Sequence, residues 1–209
     1  MFRLYSERAA ARIVKKLEEP IRAICARYPL PVPALQAVLL QEITQIDLFD
    51  PLANALVWLN GARLALCERL TDRALRLPNR RGLLYKFDSS TGYAQIYAFV
   101  GIAALQFGCE RGLCRMEDYC FAPEESLDAA LARDRRRVWL RLRRDRRLNL
   151  ELAALNLLSA AEEVSGRADF EVCSPDELQR IFTRYNSSRA DRISAYGRAV
   201  YARYLRLLA

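Results

Sequence analysis

Histidine-dependent chemistry is excluded here, because none of the 209 residues is a histidine. Neither Ser-His-Asp nor Cys-His catalysis is possible, and a zinc site with imidazole ligands is excluded as well. A general acid or base must be a carboxylate, a lysine, a tyrosine or a cysteine. The first candidate is Glu42, the single acidic residue in the apolar segment 34–46. Burial disfavours the charged form of a carboxyl, which would suit Glu42 to general-acid catalysis. The plainer alternative is an exposed glutamate at a helix end.

Two polar segments are candidates for a binding site. The first combines a carboxylate, hydroxyls, an amide and a glycine that permits close backbone approach: Asp88, Ser89, Ser90, Thr91, Gly92 and Gln95. The second, residues 183–188, places a phenol beside an amide in Tyr185 and Asn186. Each has a structural alternative. The first could cap the helix that follows it, and the second could be a capped turn between two helices.

The sequence indicates no metal and no cofactor. Six cysteines include a cluster of three, but no pair has the Cys-x-x-Cys spacing of a zinc site. The N-terminal segment is charged and amphipathic, unlike a signal peptide, and no run of 18 apolar residues is present. We therefore expect a protein made in the cytoplasm, with mostly reduced thiols and no transmembrane segment.

Hydrophobic periodicity predicts a mainly α fold with little or no β structure, at most a short hairpin near residues 79–88. Three prolines between positions 29 and 33 separate an N-terminal helical extension, 1–31, from a main domain, 32–209. An interruption is expected near Pro20, and Ser174 is expected to cap a helix. The predicted helical segments are 2–28, 34–46, 51–75, 96–107, 124–164 (two helices meeting near 148–149) and 188–208.

Four short motifs, taken in order, resemble those of the goose-type lysozymes and soluble lytic transglycosylases. That family has an apolar helix ending in its catalytic glutamate, similar to Ala34–Glu42. Its Gly-Leu-Met-Gln-Ile loop is similar to Gly92–Ile96, and its Asn-containing, Leu-rich helix is similar to Leu148–Leu158. Its Ala-Tyr-Asn-Ala-Gly segment is similar to Arg184–Ser188, with Tyr196 on the helix beyond.

The resemblance implies a lysozyme-like helical domain that cleaves the β-1,4 bond between N-acetylmuramic acid and N-acetylglucosamine in peptidoglycan. Glu42 would be the general acid and base, more in the manner of a lytic transglycosylase than of a hydrolase. A hydrolase would need a second acid, for which Asp88 is the candidate and Asp47 and Asp50 are weaker ones. The residues expected to contact the glycan are Ser89, Ser90, Gly92, Tyr93, Gln95, Tyr185, Asn186 and Tyr196.

The family's pattern is not matched throughout. Ile43 stands where the family has serine, Tyr93-Ala94 replaces Leu-Met, and Ser187-Ser188 replaces Ala-Gly. These departures leave an inactive lysozyme-like interaction module as an alternative. Peptidoglycan lies outside the cytoplasm, so the protein would reach the cell wall or periplasm by a specialised export route, with a delivery or secretion partner.

The charge pattern supplies the rival hypothesis. The net charge is +8, and residues 133–147 contain nine arginines with apolar residues embedded among them. A basic helical protein that binds nucleic acid, or a helix lying on a membrane surface, would show such a pattern. The sequence favours a solvated helix face whose arginine stems cover apolar surface, or a general attraction to anionic wall polymers. Nucleic acid is therefore the less expected partner.

Overall fold

The computed structural model describes residues 3–119, 127–187 and 191–209. These residues form nine α-helices and no named strand, which confirms the predicted mainly α fold. Two short 3₁₀ segments, Leu83–Tyr85 and Met116–Tyr119, and isolated β-bridges, among them Arg76–Leu131 and Thr91–Ile96, complete the regular structure of this part of the chain. The helices are α1 Glu7–Lys16, α2 Glu18–Arg27, α3 Val32–Gln45, α4 Phe49–Thr71, α5 Ala98–Glu110, α6 Ala132–Arg144, α7 Arg146–Ser165, α8 Pro175–Asn186 and α9 Ala195–Leu208.

Local capping explains where several helices begin. The break between α1 and α2 falls at Leu17 and not at Pro20, because a proline in the first turn of α2 removes an N–H that has no helical acceptor. The junction between α6 and α7 is Asp145, whose carboxylate accepts the amide of Leu148 at 3.0 Å. Ser174 forms the predicted capping box with Glu177. Helix α9 begins after Ser194, later than predicted, and residues 188–190 of the predicted helix lie outside the described residues.

The sequence allowed at most a short hairpin near residues 79–88, and the described residues contain no strand there. The described chain has a 3₁₀ turn there, Leu83–Tyr85. Asn60 on α4 holds this turn, because its side-chain amide donates to the carbonyls of Leu83 and Lys86, both at 3.0 Å. Since these carbonyls are bound by a side chain, the segment does not need a partner strand to satisfy them.

The described residues fall into two compact units. Unit 1 comprises residues 47–149, and unit 2 comprises residues 3–46 and 150–209. The two units therefore divide the sequence after residue 46 and again within α7. The predicted boundary after residue 31 coincides with neither division. Helices α1 and α2 share unit 2 with α3. No helix among the described residues is long and apolar enough to cross a membrane.

In unit 2, α3 packs against α1, α2 and α9. It is buried over most of its length, as an almost wholly apolar helix must be. Arg203 on α9 ties three helices together: its guanidinium donates to Gln41 on α3 at 2.9 Å and to both carboxylate oxygens of Glu7 on α1 at 2.7 and 2.6 Å. The hydrogen bond from Arg203 lowers the pKa of Glu7.

In unit 1, α6 packs against α4 and α5 and carries the arginine-rich segment. Its apolar residues Val138, Trp139 and Leu142 are buried, whereas its arginines are exposed or half-buried. The indole N–H of Trp139 donates to the hydroxyl of Ser89 at 3.0 Å. These three apolar residues therefore belong to the core of unit 1, as the solvated-face interpretation expects, whereas Leu140 is half-buried.

Close packing between α8 and α9 depends on Gly197. A Cβ built at this position would come within 3.0 Å of the Thr183 hydroxyl and of the Gln179 carbonyl, both on α8. The Thr183 hydroxyl also accepts the backbone amide of Ser194 at 3.0 Å, next to the start of α9. The Thr183 hydroxyl therefore links α8 to the start of α9. The absence of a side chain at Gly197 lets the two helices pack closely.

We expect Gly197→Ala to lower the free energy of unfolding by about 2–4 kcal/mol, because the new methyl group meets backbone that cannot yield. Urea denaturation measures the change. Gly61→Ala is the matched control. It is a buried helical glycine, and the three atoms nearest to its new methyl group would all belong to the flexible side chain of Arg136, the first at 3.3 Å. The control should stay within about 1 kcal/mol of wild type, and an equal loss in both variants would contradict the packing argument.

Candidate active site

Glu42 is a buried carboxylate in unit 2. It lies in the last turn of α3 and is only 6% exposed. The hydroxyl of Tyr196 on α9 donates a hydrogen bond to its Oε1 atom. Tyr185 on α8 is buried close enough for the charge of Glu42 to raise its pKa. Three residues predicted from two separate motifs therefore lie close together, and we call them the Glu42–Tyr185–Tyr196 cluster.

The positions of the two tyrosines follow from the α8–α9 crossing. Tyr185 lies in the last turn of α8, and Tyr196 lies in the first turn of α9. Ser194 caps α9, and its backbone amide is bound by the Thr183 hydroxyl on α8. Since α9 also packs against α3, the adjoining ends of α8 and α9 bring both phenols to the carboxyl end of α3.

Burial keeps both phenols protonated. It raises the pKa of Tyr185 and of Tyr196 well above the ordinary value, and the negative charge of Glu42 raises both further. A protonated phenol is a hydrogen-bond donor, so Tyr196 orients the carboxyl group without neutralising it with a full positive charge. A carboxyl held in this way can give a proton to a bound group and take it back.

The structure does not give Tyr185 and Asn186 the capped interhelical turn that the sequence left open as an alternative. Tyr185 and Asn186 belong to α8, whose last turn they complete. Asn186 is exposed, whereas Tyr185 is buried and its carbonyl accepts from the side chain of Asn156 at 3.5 Å. Their contacts with a glycan stay predictions.

The Gly92 loop and Asn149 meet in unit 1. Gly92 has φ of +72°, and a Cβ there would lie within 3.0 Å of the Asn149 side chain. Asn149 accepts the amide of Ala94 at 2.9 Å and donates to the carbonyl of Thr91 at 3.1 Å. The loop closes through paired backbone hydrogen bonds between Thr91 and Ile96. The second and third of the four motifs are therefore in contact here. The first and fourth come together around Glu42.

Other predicted residues of this loop are engaged within unit 1. Ser89 is buried, and its hydroxyl donates to Asn54 at 2.7 Å. Gln95 has a left-handed backbone, with φ of +46°, and its side-chain amide donates to the Gly92 carbonyl at 2.7 Å. The side chain of Ser90 lies near the phenol of Tyr97, and the guanidinium of Arg146 lies 5.8 Å from the ring centre of Tyr93. The loop is therefore held in place by contacts within itself and by contacts with Asn54 and Arg146.

Asp88, the candidate second acid, caps α5. Its carboxylate accepts the amides of Ala98 and Phe99, the first two residues of that helix, at 2.9 and 3.0 Å. It also accepts the amide of Ser89 at 2.9 Å, and Arg135 lies 3.8 Å away. The helix-capping alternative for this segment is therefore present in the structure. The loop belongs to unit 1 and Glu42 to unit 2, so their convergence on one cleft stays a prediction.

Sequence reasoning missed a second buried glutamate. Glu151 on α7 accepts the hydroxyl of Tyr28 at 2.7 Å and pairs with Arg27 at 2.8 Å. It lies inside the Leu-rich motif, but nothing in its spacing marks a partner 123 residues away. In the described part of the chain, no group of three or more acidic or cysteine side chains is arranged to hold a metal ion.

Comparisons with protein-family models, with curated proteins and with solved structures give no match to this chain. The resemblance to the goose-type lysozymes and lytic transglycosylases therefore depends on the four motifs and on the contacts described above.

We expect Gly92→Ala to lower the free energy of unfolding by about 2–4 kcal/mol, through left-handed strain and collision with Asn149. Gly112→Ala is the matched control, because Gly112 has a similar φ of +66° but open space around it. It should cost about 1 kcal/mol from strain alone. Urea denaturation measures both values, and equal losses would show that Asn149 does not restrict the loop.

We expect the carboxyl of Asp88 to titrate near pH 6, because burial raises its pKa to about 6 against the opposing amide hydrogen bonds and Arg135. The folded protein then holds this proton more tightly than the unfolded chain does. The contribution of Asp88 to stability accordingly falls as pH rises from about 4 to about 6. A ¹³C NMR titration of the side-chain carboxyl measures the midpoint, and a midpoint below 4 would contradict the expectation.

Proposed function

We propose that this protein is a peptidoglycan-cleaving glycosidase with Glu42 as its catalytic acid and base. The observation that carries the proposal is the Glu42–Tyr185–Tyr196 cluster. Three residues from motifs spread over 155 positions, Glu42 to Tyr196, meet around one buried carboxyl group, and each was a candidate from the sequence. The fit of Gly92 against Asn149 gives independent support, since it joins the other two motifs.

In the proposed reaction, Glu42 donates its proton to the bridging oxygen between N-acetylmuramic acid and N-acetylglucosamine as the bond to the muramic C1 carbon breaks. The carboxylate then takes the proton of the same sugar's 6-hydroxyl, whose oxygen attacks C1 and closes a 1,6-anhydro ring. Tyr196 would keep the carboxyl oriented through both steps. This route consumes no water and returns Glu42 to its starting state.

The contacts of Asp88 favour the lytic transglycosylase over the hydrolase. A hydrolase needs a second carboxylate free to activate water or attack the sugar. Both oxygens of Asp88 are instead engaged by backbone amides at the start of α5. The anhydro route needs a single carboxyl group, and Glu42 supplies it.

We expect Glu42→Gln to reduce cleavage of purified peptidoglycan by about 100- to 10,000-fold, the usual contribution of a general acid. Mass spectrometry of the digest measures the rate and identifies the products. Anhydro ends indicate transglycosylase, and reducing ends indicate hydrolase. Glu151→Gln is the matched control, because Glu151 is also buried on a helix and bonded to a tyrosine. It should keep its activity while folded.

Three outcomes would overturn the assignment of catalysis to Glu42: no cleavage by the wild-type protein, equal rates in Glu42→Gln, or equal losses in both variants. Wall binding without turnover would instead support the inactive lysozyme-like module. A mobility-shift assay over a range of salt concentrations tests the nucleic-acid hypothesis, because phosphate contacts weaken steeply as salt rises. Action at the cell wall or periplasm also requires export with a delivery or secretion partner, which belongs to the same proposal.

A further inference from the structure

An apolar stripe runs the length of α4 in unit 1. Its five leucines are separated by steps of four or seven residues, so they fall on one face of the helix. Each is 56–78% exposed. With 23 residues in α4, the stripe is about 34 Å long. Its members are Leu48, Leu52, Leu59, Leu66 and Leu70, and we call them the α4 stripe.

Further exposed apolar side chains widen this surface. Leu83 and Leu84 are each about two-thirds exposed. They lie beside α4, where the side chains of Asn60 and Arg63 donate to their carbonyls at 3.0 and 3.2 Å. On another side of the helix, Trp58 is half exposed and borders a groove of about 490 Å³ with Ala55 and Leu140. An exposed apolar surface of this extent marks an interaction site.

The charges around the α4 stripe are basic. Arg63 and Arg69 are exposed on α4, and Arg143 and Arg144 line the groove beside Trp58. Within the described residues, no ion pair joins these four arginines to a carboxylate. At 100° per residue, Asp50 and Glu68 fall on the face of α4 opposite the α4 stripe. Their carboxylates accept backbone amides near the two ends of the helix. The surface therefore combines apolar contact with positive charge.

We infer that the α4 stripe docks onto an anionic lipid bilayer surface. An apolar helix face flanked by arginines lies in the plane of a membrane, with its leucines in the acyl boundary and its guanidinium groups at the lipid phosphates. A second copy of the chain fits less well. A symmetric interface would bring the same arginines of both copies around one shared apolar surface, whereas the acidic residues of α4 itself face away from it.

Vesicle flotation tests the inference. The wild-type protein should bind vesicles of phosphatidylglycerol and phosphatidylcholine, and bind phosphatidylcholine vesicles far more weakly. The double variant Leu59→Gln/Leu66→Gln keeps every charge, and it should bind the anionic vesicles roughly tenfold more weakly or worse. The matched control is Leu205→Gln/Leu208→Gln, which alters two exposed leucines on α9 in unit 2 and should bind as wild type does.

Tryptophan fluorescence gives a second measurement that needs no variant. The chain has two tryptophans, and Trp139 is 1% exposed, so a blue shift on adding anionic vesicles reports Trp58. Absence of wild-type binding, absence of the shift, or equal binding by the stripe variant would overturn the inference. A dimer that the same variant dissociates, without vesicle binding, would assign the α4 stripe to a second copy.

Discussion

A carboxyl group buried among apolar helices needs a hydrogen-bond donor in a fixed position. In unit 2 this requirement links the positions of α3, α8 and α9. Leaving such a group unpaired costs more than a typical hydrogen bond contributes to stability. Tyr196 supplies the donor to Glu42, and its position depends on how closely α9 can approach α8. That approach depends on Gly197, where no side chain larger than hydrogen fits. A glycine outside every motif thus sets the geometry of the candidate catalytic group.

Helical periodicity was enough to predict the mainly α fold and the burial of α3, because an almost wholly apolar helix has no face to offer to water. Local capping chemistry likewise predicted the start of α8 at Ser174. Periodicity could not predict the local structure where a distant side chain decides it. Asn60 satisfies two carbonyls of the segment 79–88, where the sequence left a short hairpin open. Such long-range hydrogen bonds leave no trace in the periodicity of a single segment.

The candidate site was predictable in part for the same reason. Glu42 stood out because an acidic residue is rare in an apolar segment, and Gly92 stood out because a glycine permits close approach. Neither observation indicates the partner. Asn149 fills the space that Gly92 leaves, and Tyr196 meets Glu42 across 154 residues. Asp88 shows a different difficulty. A carboxylate just before a helix can be a helix cap or a catalytic acid, and the sequence does not distinguish the two roles without its amide partners.

The two buried glutamates of unit 2 differ in the partners that orient them. Both accept a hydrogen bond from a tyrosine hydroxyl. Glu151 also pairs with the guanidinium of Arg27, a positively charged group, at 2.8 Å. The hydroxyl that donates to Glu42 belongs to Tyr196, a neutral phenol that burial keeps protonated. A phenol orients a carboxyl group without adding a positive charge, and the proton transfer proposed for Glu42 requires both protonation states of that group.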